Sequence, residues 1–308
     1  MTRPNTPRPW HIRFAHYRQA KSTIHPPAGF PFPPTLRSGD DVGRIRHTVG
    51  PSSGKNIMQK IAIVSDIHGN ILALEKVVAD IETRHVDCVF NLGDHISGPL
   101  YPKETLQFLM KQDWVHVLGN HDRQLIDQRP RQQDLSDKYA FSFLSGSDLD
   151  WLGTLPASTT VEDRFLLVHG TPSCDTRYLL ETVEHGKARL ATQGEITQRL
   201  NGAASPILLC GHSHIPRVVE LPQNILVVNP GSVGLPAYDD EIPEYHVMET
   251  GSPHARYAIL EYKNGNWEAE MITVSYDHQH SAQQARKNGR LDWEYALQTG
   301  FMPHQTAG

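Results

Sequence analysis

Five short apolar runs between residues 60 and 210 each stop on aspartate, asparagine or histidine beside a glycine, and this recurrence restricts the chain more than any other property it has. Ile61-Ala62-Ile63-Val64 ends at Ser65-Asp66-Ile67-His68-Gly69-Asn70. Val86 to Asn91 ends at Leu92-Gly93-Asp94-His95, and Trp114 to Leu118 at Gly119-Asn120-His121-Asp122. Arg164 to Val168 ends at His169-Gly170, and Pro206 to Cys210 at Gly211-His212-Ser213-His214. Runs of this length bounded by polar and glycine positions read as buried strands. Ile71, Leu74, Val78 and Ile81 then follow near helical spacing, and Pro102 suits the first turn of a second helix. In open α/β sheets, ligands bind beyond the carboxyl ends of the strands. Asp66 and His68, one residue apart, can project to the same side of such an end and share a metal. Taken alone the pair is weak, and Asn70 is equally a helix N-cap.

The rest of the chain completes an α/β plan. Asp134 to Leu152 reads as helical, Thr159 to Val161 as a strand paired with Arg164 to Val168, and Gly186 to Leu200 as a helix. Strand patterns return at Arg217 to Leu221, Ile225 to Val228, Tyr257 to Tyr262 and Trp267 to Val274. Asn264-Gly265 marks a hairpin between the last two. Alternating strands and helices followed by hairpins predict two mixed sheets with helices outside, spanning residues 58–275. Ser281 to Thr299 reads as one or two surface helices, so residues 276–308 form a tail that packs on the domain or trails from it.

Residues 1–57 differ from the rest, being rich in proline and lacking a sustained apolar period. They are expected to be disordered. They carry nine basic and two acidic residues, a formal +7, which leaves −12 of the whole-chain −5 for the remainder. Such a leader is either an organelle transit peptide or, the reading preferred here, sequence upstream of a true start at Met58. An acidic folded part repels a polyanion, which argues against a nucleic-acid polymer as partner. No apolar run approaches the ~18 residues of a membrane span. Three cysteines, Cys88, Cys174 and Cys210, in no metal or disulfide spacing point to buried thiols in a reducing, cytoplasmic setting.

Together the five clusters resemble the calcineurin-like metallophosphoesterase superfamily, whose pattern is D-x-H, G-D, G-N-H-[D/E], H and G-H-x-H. The resemblance runs from Met58 to Val274. It implies a four-layer αββα sandwich with two mixed sheets and a dinuclear centre at one edge. It puts Asp66, His68 and His214 on one ion, Asn120, His169 and His212 on the other, and Asp94 between them. The expected cofactors are two divalent transition-metal ions, manganese first, with iron, zinc, cobalt or nickel compatible with the same nitrogen and oxygen ligands. The absence of cysteine from the set disfavours structural zinc. The resemblance makes His121 the group that protonates the leaving oxygen or stabilises charge in the transition state, a task suited to imidazole near neutrality. Asp122 either orients His121 or caps the following helix.

One departure bears on substrate. Where the Ser/Thr protein-phosphatase branch reads G-D-x-V-D-R-G, this chain has Gly93-Asp94-His95-Ile96-Ser97-Gly98-Pro99, with Ser97 and Gly98 in place of the supporting Asp and the phosphate-binding Arg. The resemblance is therefore closer to the small bacterial phosphoesterases, which implies hydrolysis of small phosphodiester or nucleotide-type substrates. Protein or dinucleoside-tetraphosphate phosphatase activity is the alternative, and a non-catalytic metal-binding scaffold the alternative of another class. Asn70, Arg123 and Arg177 are the candidates to contact phosphate, each arginine being equally a solvated surface side chain.

Overall fold

A computed structural model describes residues 58–127 and 134–303, and the expectations for residues 1–57 lie outside that range. Strand β1 (Lys60–Val64) leads into helix α1 (Ile71–Thr83), β2 (Cys88–Asn91) into α2 (Pro102–Leu109), and β3 (Val115–His116) into α3 (Asn120–Asp127). Helices α4 (Leu135–Phe141) and α5 (Gly146–Leu152) precede β4 (Ser158–Val161) and β5 (Phe165–Val168). A hairpin of β6 (Glu181–Glu184) and β7 (Lys187–Leu190) comes before α6 (Gln193–Leu200). The strands β8 (Ile207–Leu209), β9 (Arg217–Leu221), β10 (Ile225–Asn229), β11 (Ala237–Asp240) and β12 (His246–Glu249) follow. The long hairpin β13 (Ala255–Lys263) and β14 (Asn266–Val274) and the helices α7 (His278–Lys287) and α8 (Leu291–Thr299) end the described chain.

Two five-stranded sheets carry the fold, in the orders β14-β13-β1-β2-β3 and β4-β5-β8-β10-β9. In each, the strands that end in the glycine-flanked clusters run parallel, β1 beside β2 beside β3 and β5 beside β8, so their carboxyl ends share an edge. Strand β1 is buried on both faces, and its period-two alternation serves two cores. Ile61 and Ile63 meet Phe165, Leu167 and Leu209 of the opposing sheet, whereas Ala62 and Val64 pack with Leu74, Val77 and Ile81 of α1. Helix α6 covers the far face of the second sheet through Ile196 and Leu200. The layers are helix, sheet, sheet, helix.

A third sheet, β11-β12-β7-β6, was not anticipated. Its strand β7 takes the first part of what reads as one helix from Gly186 to Leu200. His185 and Gly186 both take positive φ, 54° and 71°, and turn the chain into a hairpin. The helix begins only after Thr192, whose side chain and that of Glu195 form a reciprocal capping box. The tail packs as Ala282, Ala285, Trp293, Ala296 and Leu297 against Leu100, Leu235 and Ala237. Of the free cysteines, Cys210 is buried and Cys88 partly so, but Cys174 is exposed, contrary to expectation. Among the described residues no helix is long and apolar enough to cross a membrane.

Candidate metal centre

The strand-end loops are held in conformations that most residues avoid. Asp66, His68, Asp94, His212 and His214 have φ of 55°, 50°, 55°, 69° and 59°. Left-handed backbone at non-glycine residues is uncommon and costs on the order of 1–3 kcal/mol each, so surrounding bonds must enforce it. The bonds are present: Asp66 and His68 donate their main-chain N–H to the carbonyls of Gly93 and Asp94, and Gly234 donates to the carbonyl of Asp66. Ser232 Oγ donates to the same Asp66 oxygen at 2.7 Å. The glycine-rich loop after β10 thus clamps the loop after β1.

Two groups of side chains converge at this edge, all buried. The donor atoms of Asp66, His68 and His214 lie within 4.8 Å of one another, and so do those of Asp94, His169 and His212. Asn120 Oδ1 is 3.0 Å from His169 Nε2. Asp94 Oδ2 sits between the groups, 3.2 Å from His169 Nε2 and 3.8 Å from His68 Nε2. The seven expected ligands are therefore brought together.

The hydrogen bonding behind them tests whether cations fit. Nδ1 of His68, His169 and His214 each lies 2.8 Å from a main-chain carbonyl oxygen, of Ser97, Leu92 and Leu235 respectively. A carbonyl only accepts, so each Nδ1 carries a proton, and in the neutral ring Nε2 points a lone pair inward. His68 Nε2 and His214 Nε2 then face each other at 3.1 Å, and buried Asp66 Oδ1 has no hydrogen-bond partner. Imidazole nitrogens and carboxylate oxygens crowded in this way, one oxygen without a partner, fit divalent cations. Burial and the His214 charge push His68 down to about 4, and burial and the His169 charge push His212 down to about 3, which leaves both neutral at physiological pH. Burial opposes it, but the Asp94 carboxylate holds His169 up at about 9.

The model of the calcineurin-like phosphoesterase superfamily domain matches residues 59–253. The chain belongs to this superfamily. It is a phosphoester hydrolase of a metal-dependent family. An uncharacterized protein of Methanocaldococcus jannaschii is 23% identical over 268 residues, which covers 77% of this chain and 96% of that one. A phosphodiesterase of the same organism is 21% identical over 202 residues, covering 66% of this chain and 99% of its own. The crystal structure of a metallophosphoesterase from Sphaerobacter thermophilus superposes with a TM-score of 0.62 at 24% identity over 79% of this chain and all of that one, a likeness of fold.

His121 opens the first turn of α3 beside the centre, its ring 5.5 Å from that of His68 and its side chain 24% exposed. It lines a cleft of about 490 Å³. Its Nδ1 is engaged by Asp137 Oδ1 at 2.9 Å, which leaves Nε2 for the cleft. Burial opposes protonation, yet the carboxylates of Asp94 and Asp137 raise His121 well above the ordinary histidine value. Asp137 was not legible as a site residue. It sits on α4, and Ser97 Oγ, at the position vacated by the protein-phosphatase Asp, donates to its Oδ1 at 2.6 Å. A carboxylate from α4 thus stands beside both Ser97 and His121.

Several assignments need correction. Asp122 does not orient His121, because neighbours on a helix point about 100° apart. It turns inward and accepts from the main-chain N–H of Gly119, Asp94 and His95 at 2.9, 2.9 and 3.0 Å, and pairs with His95 Nδ1 at 2.7 Å. The capping reading survives in its bond to Gly119. Asn70 is no phosphate donor: its Nδ2 is used by Gly234 O and Tyr276 Oη, and its Oδ1 by Ala73 N and Ser281 Oγ. Arg123 is chelated by Asp175 at 2.6 and 3.1 Å, and Arg177 is exposed; neither lines the cleft.

Because Asp122 is a buried charge that ties two ligand loops together, Asp122→Ala is expected to destabilise the fold by about 3–5 kcal/mol. Urea unfolding checks this, and a loss under about 1 kcal/mol would show that the network carries little.

Proposed function

We propose that this chain is a dinuclear-metal phosphoesterase acting on small phosphodiester or nucleotide-type substrates. The supporting observation is the set of inward-facing imidazole nitrogens and the partnerless carboxylate oxygen beside a histidine that is held by Asp137 and lines a cleft. Asp66, His68 and His214 would hold one ion and Asn120, His169 and His212 the other, with Asp94 shared. When bound, the two cations would activate water and neutralise charge on the phosphoryl oxygens. His121, positioned by Asp137, gives its Nε2 proton to the leaving oxygen. Manganese is the first metal to try, and free thiols accord with a cytoplasmic setting.

The walls of the cleft favour a singly charged diester. Among the described residues they carry Asp134, Asp239, Asp240 and Asp292 against one arginine, Arg290, and no lysine. Each added negative charge on a substrate is repelled there, which weighs against polyphosphate chains and phosphomonoester dianions. A panel of diesters, monoesters, dinucleoside polyphosphates and phosphopeptides at fixed manganese, ranked by kcat/KM, tests the reading. Diesters are expected to lead. A lead for phosphopeptides would revive the protein-phosphatase alternative, and metal binding with no hydrolysis of any substrate would favour the scaffold.

A further inference from the structure

The motif that lost its phosphate-binding arginine at Gly98 has no room to regain it there. Gly98 has φ of 155°, and a Cβ at this position would lie 2.6 Å from the carbonyl oxygen of His68 and 2.6 Å from Cη2 of Trp293. The indole belongs to α8, in the C-terminal tail, and stands edge-on to His68 with ring centroids 6.0 Å apart. Arg290 precedes that helix, and its guanidinium carbon lies 5.5 Å from the centroid of the same indole. On its other side Arg290 Nη1 donates to Ser136 Oγ at 2.8 Å, and Ser136 is the neighbour of Asp137, which holds His121. The guanidinium is therefore bracketed between the two ends of the site and lines the cleft.

We propose that Arg290 is the phosphate-binding residue of this enzyme, delivered by the C-terminal tail, and that its pairing with Asp292 sets the preference for singly charged phosphodiesters. The inference rests on the phosphoesterase reading and deepens it. Arginine has five N–H groups. Nε and Nη2 bind the Asp292 carboxylate at 3.0 and 2.6 Å and Nη1 binds Ser136, so one N–H on each terminal nitrogen has no partner among the described residues. Those two are suited to phosphoryl oxygens. The arginine side chain is only 17% exposed, and the carboxylate beside it offsets its charge. It then offers directed hydrogen bonds with little long-range attraction, which serves a monoanion and gives no added reward to a dianion.

The tail is fixed firmly enough for this task. Ser281 Oγ donates to Asn70 Oδ1 at 3.0 Å, and Asn288 Nδ2 donates to the carbonyl of Pro99 at 2.7 Å and to Tyr139 Oη at 2.8 Å. Asn70, considered above as a phosphate contact, instead anchors the element that carries one.

The test compares wild type, Arg290→Lys, Arg290→Met and Asp292→Asn at fixed manganese and pH. For each, hydrolysis of bis(4-nitrophenyl) phosphate and 4-nitrophenyl phosphate is measured, together with inhibition by inorganic phosphate, metal content and melting temperature. Arg290→Met is expected to raise the diester KM and the phosphate inhibition constant by about tenfold or more, with a smaller change in kcat, and Arg290→Lys by less. Asp292→Asn is expected to raise the monoester-to-diester ratio of kcat/KM several-fold, a gain that damage to the fold does not produce. Unchanged phosphate inhibition in a folded, metal-replete Arg290→Met would overturn the proposal, as would an unmoved ratio in Asp292→Asn. If Arg290→Met does not fold, Arg290→Lys and Asp292→Asn decide. A wild type that hydrolyses neither ester sinks the phosphoesterase reading itself, and the shift of its melting temperature with inorganic phosphate, compared with Arg290→Lys, still reports on the arginine.

Discussion

Asp94→Asn is expected to strip the protein of both metals and of nearly all hydrolysis. Asp94 Oδ2 lies within 4 Å of histidines from both ligand groups, while Oδ1 accepts the main-chain N–H of His121 at 3.0 Å. One carboxylate thus faces both groups of candidate ligands and fixes the start of α3. Burial would raise it, but His169 and His121 keep it ionised, well below the usual carboxylate range. The amide keeps the shape and loses the charge. Removing an outer-shell partner of a metal ligand costs about 10–100-fold in affinity or activity, and the shared ligand itself should cost more. Elemental analysis is expected to give two ions per wild-type chain and a deficit at both sites in the variant. A variant that keeps both ions and its rate would show that Asp94 is not the shared ligand, and a wild type saturating with one ion would exclude the dinuclear centre.

His121→Ala should behave differently, keeping its metals and losing turnover by about 10²–10⁴. The loss should shrink on esters with a good leaving group, since a nitrophenolate needs little protonation. Asp137→Asn tests the support of that histidine: Nδ1 of His121 keeps a hydrogen-bond partner and loses the carboxylate, so the same dependence on leaving group should appear at smaller amplitude. Equal losses on activated and unactivated esters would assign His121 to something other than proton donation. Steady-state rates against a series of leaving-group pKa values make the distinction.

These two variants also separate what was legible in the sequence from what was not. The convergence of the seven candidate ligands was legible because each stands beyond the carboxyl end of a strand, and a short apolar run followed by glycine and a polar residue is a local signal. Asn70 could be read locally too, as the cap that accepts from Ala73 N at 3.3 Å. Asp137 could not. Its spacing from Asp134 announces only a helix N-terminus, and Asp134 Oδ1 does accept from Asp137 N at 2.7 Å. Its approach to His121 depends on how α4 packs against α3. Trp293 and Arg290 are further removed still, since nothing in the tail sequence marks the glycine that Trp293 covers or the cleft that Arg290 lines. The third sheet was missed for another reason: Ala-Tyr-Asp-Asp and His-Val-Met-Glu are short polar strands without a clear apolar alternation.

The position of β1 has a consequence for biosynthesis. This strand, the first apolar run among the described residues, lies in the middle of its sheet, and its second edge is closed by β13, with Lys60 opposite Glu261 and Ile63 opposite Ala258. Some 200 residues must leave the ribosome before that edge is covered, which at ~5–20 residues per second is a delay of roughly 10–40 s. Through that interval Ile61-Ala62-Ile63-Val64 remains an open, apolar template of the kind that recruits chaperones or a neighbouring chain. A messenger truncated before the codons for β13 would therefore yield an aggregating product rather than a smaller enzyme, even though Asp66, His68, Asp94, His121, His169, His212 and His214 had all been translated.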